Sequence, residues 1–312
     1  MVPTAAPKKE RQWAPLRLRR RPQTGASAQA FAAYVFCSGY VLLLLVFGVL
    51  PMVYALYLSF TKSGQFVGLD NYVKAVGDFR FLPAVQHVAA FLVIWVVTLT
   101  VLVTLLALIV HAVRVRWLSS TTRFLFFIPG AFAGAASVML WLFLLNPSVS
   151  PVSFVLRWFG YTNFVQAIDL NNLPLIFTVI AFWTGAGAWI IIMYAALHNI
   201  SNEIMEAARC DGASAIKTAW YIQLPLIRKW IAYMVVISVA VGTQLFAEPK
   251  ILAQASRNQI PKHYSLNQLA YVTAFGPQAD FNSSAAISMM LLVVAAGLAA
   301  FFVFRGGLFD RD

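Results

Sequence analysis

Residues 206–225 combine charged, small and turn-forming side chains between two long apolar runs. They contain the pattern E-A-A-x3-G-x9-I-x-L-P without a gap or a substitution, through Glu206, Ala207, Ala208, Gly212, Ile222, Leu224 and Pro225. We expect two short helices with a break at Asp211 and Gly212, because glycine readily adopts the left-handed conformation that ends a helix. Two adjacent alanines leave the first helix open to close approach by another surface. The pattern therefore favours a surface for close contact, and the alternative is a plain helical loop between two spans.

The ends and faces of the two short helices follow from their side chains. Ser201 is expected to cap the first helix, because a serine hydroxyl can accept a bond from the free N–H groups there. In the second helix Ile216, Ala219 and Trp220 recur at helical spacing, so we expect them to pack back on the neighbouring helices. Pro225 is expected to end the second helix and to open the next apolar run.

Catalytic and metal-binding patterns are missing from the sequence. The four histidines have no ligand spacing and lie near the ends of apolar runs or in loops, where we interpret them as interface residues: His87, His111, His198 and His263. A polytopic membrane enzyme would need paired acids, a Ser–His couple or a metal cluster at membrane depth. The second to sixth apolar runs hold no charged residue well inside them, which argues against that alternative. The chain also lacks the G-x-x-x-x-G-K-[ST] loop that holds ATP.

The composition is that of a membrane protein. Of the 312 residues 61% are hydrophobic and only 11% are charged, whereas a soluble domain carries about 25% charged residues. Most of the exterior must therefore meet a lipid bilayer. The net charge of +12 could indicate a nucleic-acid partner, but seven of the 23 lysines and arginines lie in residues 1–21, ahead of the first apolar run. Cytoplasmic flanks of membrane spans are basic, so we expect no nucleic-acid binding.

Six windows without charged residues set the number of spans, since about 20 apolar residues cross a bilayer. The windows are 22–61, 81–113, 124–156, 170–202, 230–247 and 281–304. Within them we predict helices near 33–60, 84–110, 124–145, 173–197, 226–247 and 283–304. The predicted fold class is therefore all-α, a polytopic membrane protein with six transmembrane helices.

Basic residues predict the orientation of these helices. With the N-terminus inside, the cytoplasmic segments hold 16 lysines and arginines and the outer loops hold seven, as the positive-inside rule requires. Both termini and residues 206–225 are then cytoplasmic. We predict a basic cytoplasmic arm at residues 1–30 and one membrane domain at residues 31–312, which includes the cytoplasmic loop 199–225.

The E-A-A pattern resembles the cytoplasmic EAA loop of the membrane subunits of binding-protein-dependent ABC importers. Further segments resemble the sugar-importer permeases of the maltose and glycerol-phosphate type: Gly68-Leu69-Asp70-Asn71-Tyr72, Ile128-Pro129, Trp141 followed by Asn146-Pro147, and Asp211-Gly212-Ala213-Ser214. The resemblance covers nearly the full length after the basic arm. It implies a type I ABC importer permease fold in the plasma (inner) membrane of a prokaryote, for a sugar or a related polyol or sugar phosphate.

The same resemblance implies partners and residue roles. The partners would be a second, homologous permease subunit, two copies of a cytoplasmic ABC ATPase and an extracytoplasmic solute-binding protein. ATP and Mg²⁺ would be bound by the ATPase, so this chain would hold no cofactor and no metal. Glu206 would be the charged contact to the ATPase, Ala207 and Ala208 the closely packed face, and Gly212 the turn.

Two departures from the family pattern keep a non-sugar solute open as the alternative. Ser150-Pro151-Val152-Ser153 replaces the usual Gly-x-x-Asn after the third helix, and the usual Thr-Gly-Gly-Gly-Pro after the fifth is missing. These departures do not touch the ATPase-docking segment.

A solute path would be lined by the rare polar and aromatic groups at membrane depth, because burying them against lipid is costly. The candidates are Trp183, Thr184 and Gly185 on the fourth helix, Thr243 and Gln244 on the fifth, and Ser137 on the third. A tryptophan face stacks on a sugar ring and an amide bonds its hydroxyls. Trp183 could equally be a packing aromatic, and Gln244 a helix-to-helix hydrogen bond.

Overall fold

The computed structural model describes residues 24–113, 115–132, 134–257 and 259–305. Most of the predicted basic arm, up to residue 23, lies outside these ranges, as does the segment after residue 305. The chain divides at Val53 into two compact units, and the packed core lies in the larger one, Tyr54–Asp312.

The described residues are almost entirely helical. The α-helices are α1 Thr24–Leu44, α2 Leu50–Ser59, α3 Asp70–Val76, α4 Phe81–Ala112, α5 Arg116–Phe127, α6 Gly134–Leu144, α7 Ser153–Trp158, α8 Phe164–Ala167, α9 Leu173–His198, α10 Asn202–Cys210, α11 Ala215–Thr218, α12 Leu224–Gly242, α13 Ala247–Ala255, α14 Leu266–Phe275 and α15 Phe281–Arg305. Two short strands, β1 Thr61–Lys62 and β2 Gln65–Phe66, pair antiparallel. One 3-10 turn spans Ile128–Ala131, and π turns span Leu45–Val49 and Ala219–Gln223.

Five helices in the described part of the chain are long and apolar enough to cross a membrane: Ala33–Ser59, Phe81–Ala112, Leu173–His198, Ala215–Gly242 and Phe281–Phe304. A sixth span is formed if the bent pair Trp117–Ala131 and Gly134–Leu144 counts as one. The all-α polytopic fold with up to six spans is thus confirmed.

The prediction of one straight third helix at residues 124–145 was wrong. The chain forms two helices there, α5 and α6, which are bent by 103° relative to each other. The reason is local, since Pro129 removes a backbone donor from the helix. A Cβ atom on the next residue, Gly130, would lie 2.9 Å from the Thr184 carbonyl oxygen, so the backbone of α9 passes close to the break.

Two prolines inside spans each follow a π turn, and the helix continues past both of them. Proline has no N–H, so the carbonyl four residues earlier loses its helical partner. Those carbonyls belong to Phe47, before Pro51, and to Tyr221, before Pro225, and both lie inside a π turn. The fifth span is therefore one continuous helix, Ala215–Gly242. Our predicted start near residue 226, with a break at Pro225, was wrong.

Helix α9 lies at the centre of the packed core. One face of it is buried from Leu173 to Leu197, and it packs along α4 and also against α5, α6 and α12. The matching face of α4 repeats every four residues through Phe91, Trp95 and Leu99, as expected for a helix with one buried stripe. The outward faces of both helices are apolar and exposed, which suits contact with lipid.

A close backbone approach in this core involves Gly187 on α9. A Cβ atom at this position would overlap the Phe126 carbonyl group and would lie 2.7 Å from the Phe127 Cα atom. Gly185, two residues earlier on the same helix, has no atom within 4 Å of its Cβ position. Of these two glycines, Gly187 depends on the missing side chain for its packing and Gly185 does not.

The segment around α3 is tied to the bundle by amide groups and one ion pair. The buried Asn71 donates its amide N–H groups to the carbonyl oxygens of Ser59 and Thr61, at 3.0 and 2.9 Å. Lys74 of α3 pairs with Asp280 at 2.6 Å. Burial alone would raise the pKa of Asp280, but hydrogen bonds from Lys74 and Ser283 outweigh it and lower the pKa to about 2. The short helix α3 is thereby held on the end of α2 and the start of α15.

We predict that Gly187→Ala destabilises the bundle by about 1–3 kcal/mol, because the added methyl group overpacks the contact with α5. Thermal unfolding of the purified protein in detergent measures this as a lower Tm. Gly185→Ala is the matched control and should leave the Tm unchanged or slightly raised, since alanine favours the helix and the position is open. Equal Tm values for the two variants would contradict the packing described here.

Candidate functional site

The loop between α9 and α12 folds as two helices with a turn, as predicted. Ser201 caps α10, and its hydroxyl oxygen accepts a hydrogen bond from the Ile204 N–H at 3.4 Å. Gly212 has a φ of +74°, which is the left-handed conformation that favours glycine. The Ala213 N–H then bonds back to the Ala208 carbonyl oxygen at 2.9 Å, so the chain reverses tightly. We call residues 199–225 the coupling loop.

The first half of the coupling loop presents most of its predicted contact residues to solvent. Glu206, Ala207, Asp211 and Gly212 are all exposed. Ala208 is different, because it is only 5% exposed. Its side chain packs within this chain, so the assignment of Ala208 to an exposed partner face needs correction: Ala207 alone of the two alanines lies open.

The second half of the coupling loop differs from the sequence prediction. Ile216 is 81% exposed and Trp220 is 66% exposed, so the expectation that they pack back on the membrane helices was wrong. The π turn at Ala219–Gln223 accounts for the difference, since its extra residue rotates the preceding turn relative to α12. Thr218 and Gln223 are buried instead. Of the remaining pattern residues, Ile222 and Leu224 are half-buried and Pro225 is exposed.

Trp183 lies in an aromatic cluster at the bend between α5 and α6. Its ring is stacked on Phe132 with centroids 5.9 Å apart, and it meets Trp141 edge-on at 6.0 Å. The cluster borders a cavity of about 460 Å³, which is lined by Leu125, Phe126, Pro129, Trp141, Val179, Phe182 and Trp183. This lining is almost wholly apolar, so the cavity offers ring faces and few hydrogen-bonding groups.

The other predicted path residues do not line this cavity. The Thr184 hydroxyl donates to the Ile180 carbonyl oxygen at 3.0 Å, and the Thr243 hydroxyl donates to that of Ala240 at 2.8 Å. Both hydroxyl groups are thus used within their own helices. Gln244 is exposed, and Gly185 has open space around it.

Ser137 is buried, and its hydroxyl has no hydrogen-bond partner among the described residues. It stands one turn before Trp141, whose indole N–H is likewise buried without a partner. Sequence reasoning assigned no path role to Trp141 or Phe132. For Trp141 the available signal was its position one helical turn after Ser137. Phe132 reaches the cluster only because of the bend between α5 and α6, so no local pattern indicated it.

His87 of α4 makes one polar and one aromatic contact with Tyr264. The His87 Nδ1 atom lies 3.2 Å from the Tyr264 carbonyl oxygen, and the two rings are stacked 4.3 Å apart. Burial raises the pKa of the Tyr264 hydroxyl. Among the residues that the structure describes, no three His, Cys, Asp or Glu side chains are placed to hold a metal ion.

The chain is similar to known transport proteins. A family model described as "Binding-protein-dependent transport system inner membrane component" matches residues 104–308. The chain is 26% identical over 293 residues to the arabinooligosaccharides transport system permease protein AraP of Halalkalibacterium halodurans, covering 91% of this chain and 90% of that protein. It is 30% identical over 268 residues to the sn-glycerol-3-phosphate transport system permease protein UgpA of Shigella flexneri, covering 83% and 88%.

A solved structure supports the fold. A bacterial ABC transporter involved in the import of the acidic polysaccharide alginate contains a chain with a TM-score of 0.77 and 19% sequence identity, and the match covers 92% of this chain and 99% of that one. At this identity the likeness shows the fold alone. Together with a family match over more than half of the chain, it leads to one conclusion: the chain belongs to the inner membrane components of binding-protein-dependent transport systems, which are transport subunits and not enzymes.

Proposed function

We propose that this chain is one of two permease subunits of an ATP-driven importer in a prokaryotic plasma membrane. Its partner subunit would be a homologous chain, and together they would enclose the transport path. Two copies of a cytoplasmic ATPase would bind ATP and Mg²⁺, and an extracytoplasmic binding protein would deliver the solute. The basic arm at residues 1–30 and the coupling loop would lie in the cytoplasm, with both termini. The positive-inside distribution of lysine and arginine supports this orientation.

The observation that carries the proposal is the exposed surface of the coupling loop. Ile216, Trp220 and Tyr221 are 66–81% exposed in the first turns of the helix Ala215–Gly242, where it follows α10, and exposed apolar groups that stand close together mark interaction sites. Glu206 adds a carboxylate on the preceding helix. A cytoplasmic ATPase with an apolar groove and a basic rim would cover this surface.

The connections of the coupling loop support force transmission. Helix α9 ends at His198, three residues before the Ser201 cap, and α11 continues without a break through the π turn into α12. A displacement of the loop would therefore move two spans together. In the proposed cycle, ATP binding closes the ATPase pair, the loop follows, and the bundle switches access from outside to inside.

A sugar, a polyol or a sugar phosphate is the solute class that we propose. The relatives AraP and UgpA are named for arabinooligosaccharides and sn-glycerol-3-phosphate. The ring of Trp183, which lines the cavity, can stack on the C–H face of a sugar. The apolar lining of the cavity is the observation that favours the second candidate, a permease for a non-sugar solute. For a sugar, the partner permease subunit would have to supply most of the hydrogen bonds.

We expect Gly212→Val to uncouple or release the ATPase without preventing membrane insertion. A β-branched residue is strained at a φ of +74°, although no atom lies within 4 Å of the Cβ position. The turn would therefore shift, and the exposed face of α10 would move with it. Co-purification of the ATPase, followed by ATP hydrolysis in proteoliposomes, measures the loss, which should be at least about fivefold because the strain at such a position costs about 1–3 kcal/mol.

Gly212→Asn is the matched control, because asparagine tolerates the left-handed conformation better than other side chains. It should retain the ATPase at close to the wild-type level. If Gly212→Val keeps an undiminished ATPase and normal transport, the coupling loop is not the docking element.

We expect Trp183→Ala to reduce uptake about tenfold and Trp183→Phe to retain most of it, because a phenylalanine ring still offers a stacking face. Uptake would be measured in proteoliposomes of the complete importer with radiolabelled arabinotriose and with radiolabelled sn-glycerol 3-phosphate. A Trp183→Ala variant with full uptake and only a lower Tm would make this residue a packing aromatic. Failure of the wild type to take up either probe would favour the non-sugar alternative.

A further inference from the structure

A cluster of basic and aromatic side chains stands where α4 and α9 end, beside the coupling loop. The Arg123 Cζ atom of α5 lies 4.0 Å from the centroid of the Tyr194 ring. The ring of His198 is stacked on Tyr194 with centroids 6.1 Å apart, and His111 of α4 lies 6.4 Å from His198. We call these four residues the basic cluster. It brings two imidazoles and one guanidinium together from three helices.

The basic cluster has unused hydrogen-bonding capacity, and no acidic residue of the described ranges pairs with it. Arg123 donates its Nε–H to the Ser119 carbonyl oxygen at 3.2 Å. Within the described ranges its other guanidinium N–H groups make no hydrogen bond, and neither do the rings of His111 and His198. The two ion pairs recorded for these ranges, Lys74–Asp280 and Asp78–Arg80, lie at the other end of the bundle. Thus no carboxylate in the described part of the chain neutralises the charge of the guanidinium.

The depth of the basic cluster matches that of lipid head groups. His111 lies in the last turn of the span Phe81–Ala112, and His198 is the last residue of the span Leu173–His198. Arg123 is half-buried and His198 is exposed, so a ligand can reach the cluster from the membrane surface. Basic pockets between transmembrane helices bind phosphate head groups, and a guanidinium pairs with phosphate through two parallel hydrogen bonds.

We infer that the basic cluster is a phosphate-binding site, occupied by the head group of an anionic phospholipid. The guanidinium would bind two phosphate oxygens, and His111 and His198 would donate to the others. Assignment to the cytoplasmic leaflet rests on the proposed function, whereas the binding chemistry does not. A soluble phosphate has the same chemistry and is the second possible source.

A bound phosphate would act on the base of the coupling loop. It would bridge α4, α5 and α9 at a point three residues before the Ser201 cap. The ends of these helices would then be held together by the ligand, and the loop would start from a fixed position. Anionic lipid would therefore strengthen coupling to the ATPase.

The test is native mass spectrometry of the purified full-length chain, equilibrated in detergent with equal amounts of phosphatidylglycerol and phosphatidylcholine. The wild type should retain phosphatidylglycerol preferentially. Arg123→Gln should lower that preference about fivefold, since one basic residue at a membrane surface contributes that much to binding an anionic lipid. Arg157→Gln removes an exposed arginine of α7 and is the matched control for net charge; it should leave the preference unchanged.

A second arm separates the two sources of phosphate. Potassium phosphate is added in place of potassium chloride at equal ionic strength. If phosphatidylglycerol stays bound, the site belongs to a lipid; if inorganic phosphate displaces it and raises the Tm, the site belongs to a soluble phosphate, and the phosphate-binding inference still holds. A wild type without any preference, or an Arg123→Gln variant that keeps the full preference, overturns the inference.

Two further measurements keep the result unambiguous. His198→Gln changes an exposed side chain, so it tests the same site if Arg123→Gln does not fold. ATPase co-purification is measured on the same wild-type preparation. Absent ATPase binding with intact lipid preference would count against the proposed function alone, and the reverse result would count against the phosphate site alone.

Discussion

The packing of α9 is the constraint on which the rest of the structure depends. This helix is buried along one face against α4, and at Gly187 its backbone touches that of the Phe126–Phe127 segment. Interiors packed this tightly transmit displacement because they cannot be compressed locally. Since α9 ends directly at the coupling loop, a movement of the loop reaches the centre of the bundle. A flexible linker at residues 199–201 would not transmit that movement to α9. The Ser201 cap fixes the start of α10 and so restricts the freedom of this segment.

The two ends of the bundle are built for different tasks. At the end of the bundle that carries α3, Asn71 and the Lys74–Asp280 pair fix this helix onto neighbouring helices, so these polar groups find their partners within the chain. At the opposite end, Ile216 and Trp220 are uncovered, and no acidic residue that the structure describes pairs with the basic cluster. Under the proposed function, an ATPase and an anionic lipid would cover the surface at this end. An importer needs this division, because its delivery partner and its energy source act on opposite sides of the membrane.

Sequence reasoning succeeded where one strong local signal decided the structure. Charged residues mark the ends of the apolar windows, so the predicted helix at 173–197 matches Leu173–His198 closely. The turn at Gly212 was predicted from the glycine itself. It failed where two signals competed. Pro129 broke a window that looked continuous, and the π turn before Pro225 changed which face Ile216 and Trp220 present. The aromatic cluster around Trp183 depends on the bend between α5 and α6, which no periodic pattern encodes. Basic residues far apart in sequence, such as Arg123 and His198, meet only after the helices pack.

We propose that the coupling loop faces the cytoplasm and is covered there by an ATPase. Labelling of the chain's own Cys210 tests both points. Cys210 is exposed on α10, and a Cys37→Ser variant leaves it as the single thiol of the sequence. Labelling with a membrane-impermeant maleimide would be compared in intact cells and in inside-out vesicles, before and after the ATPase is stripped. We predict no labelling from outside, weak labelling in vesicles that keep the ATPase, and strong labelling once it is removed. Labelling of Cys210 from the outer face, or labelling in vesicles that does not change when the ATPase is removed, would contradict the account.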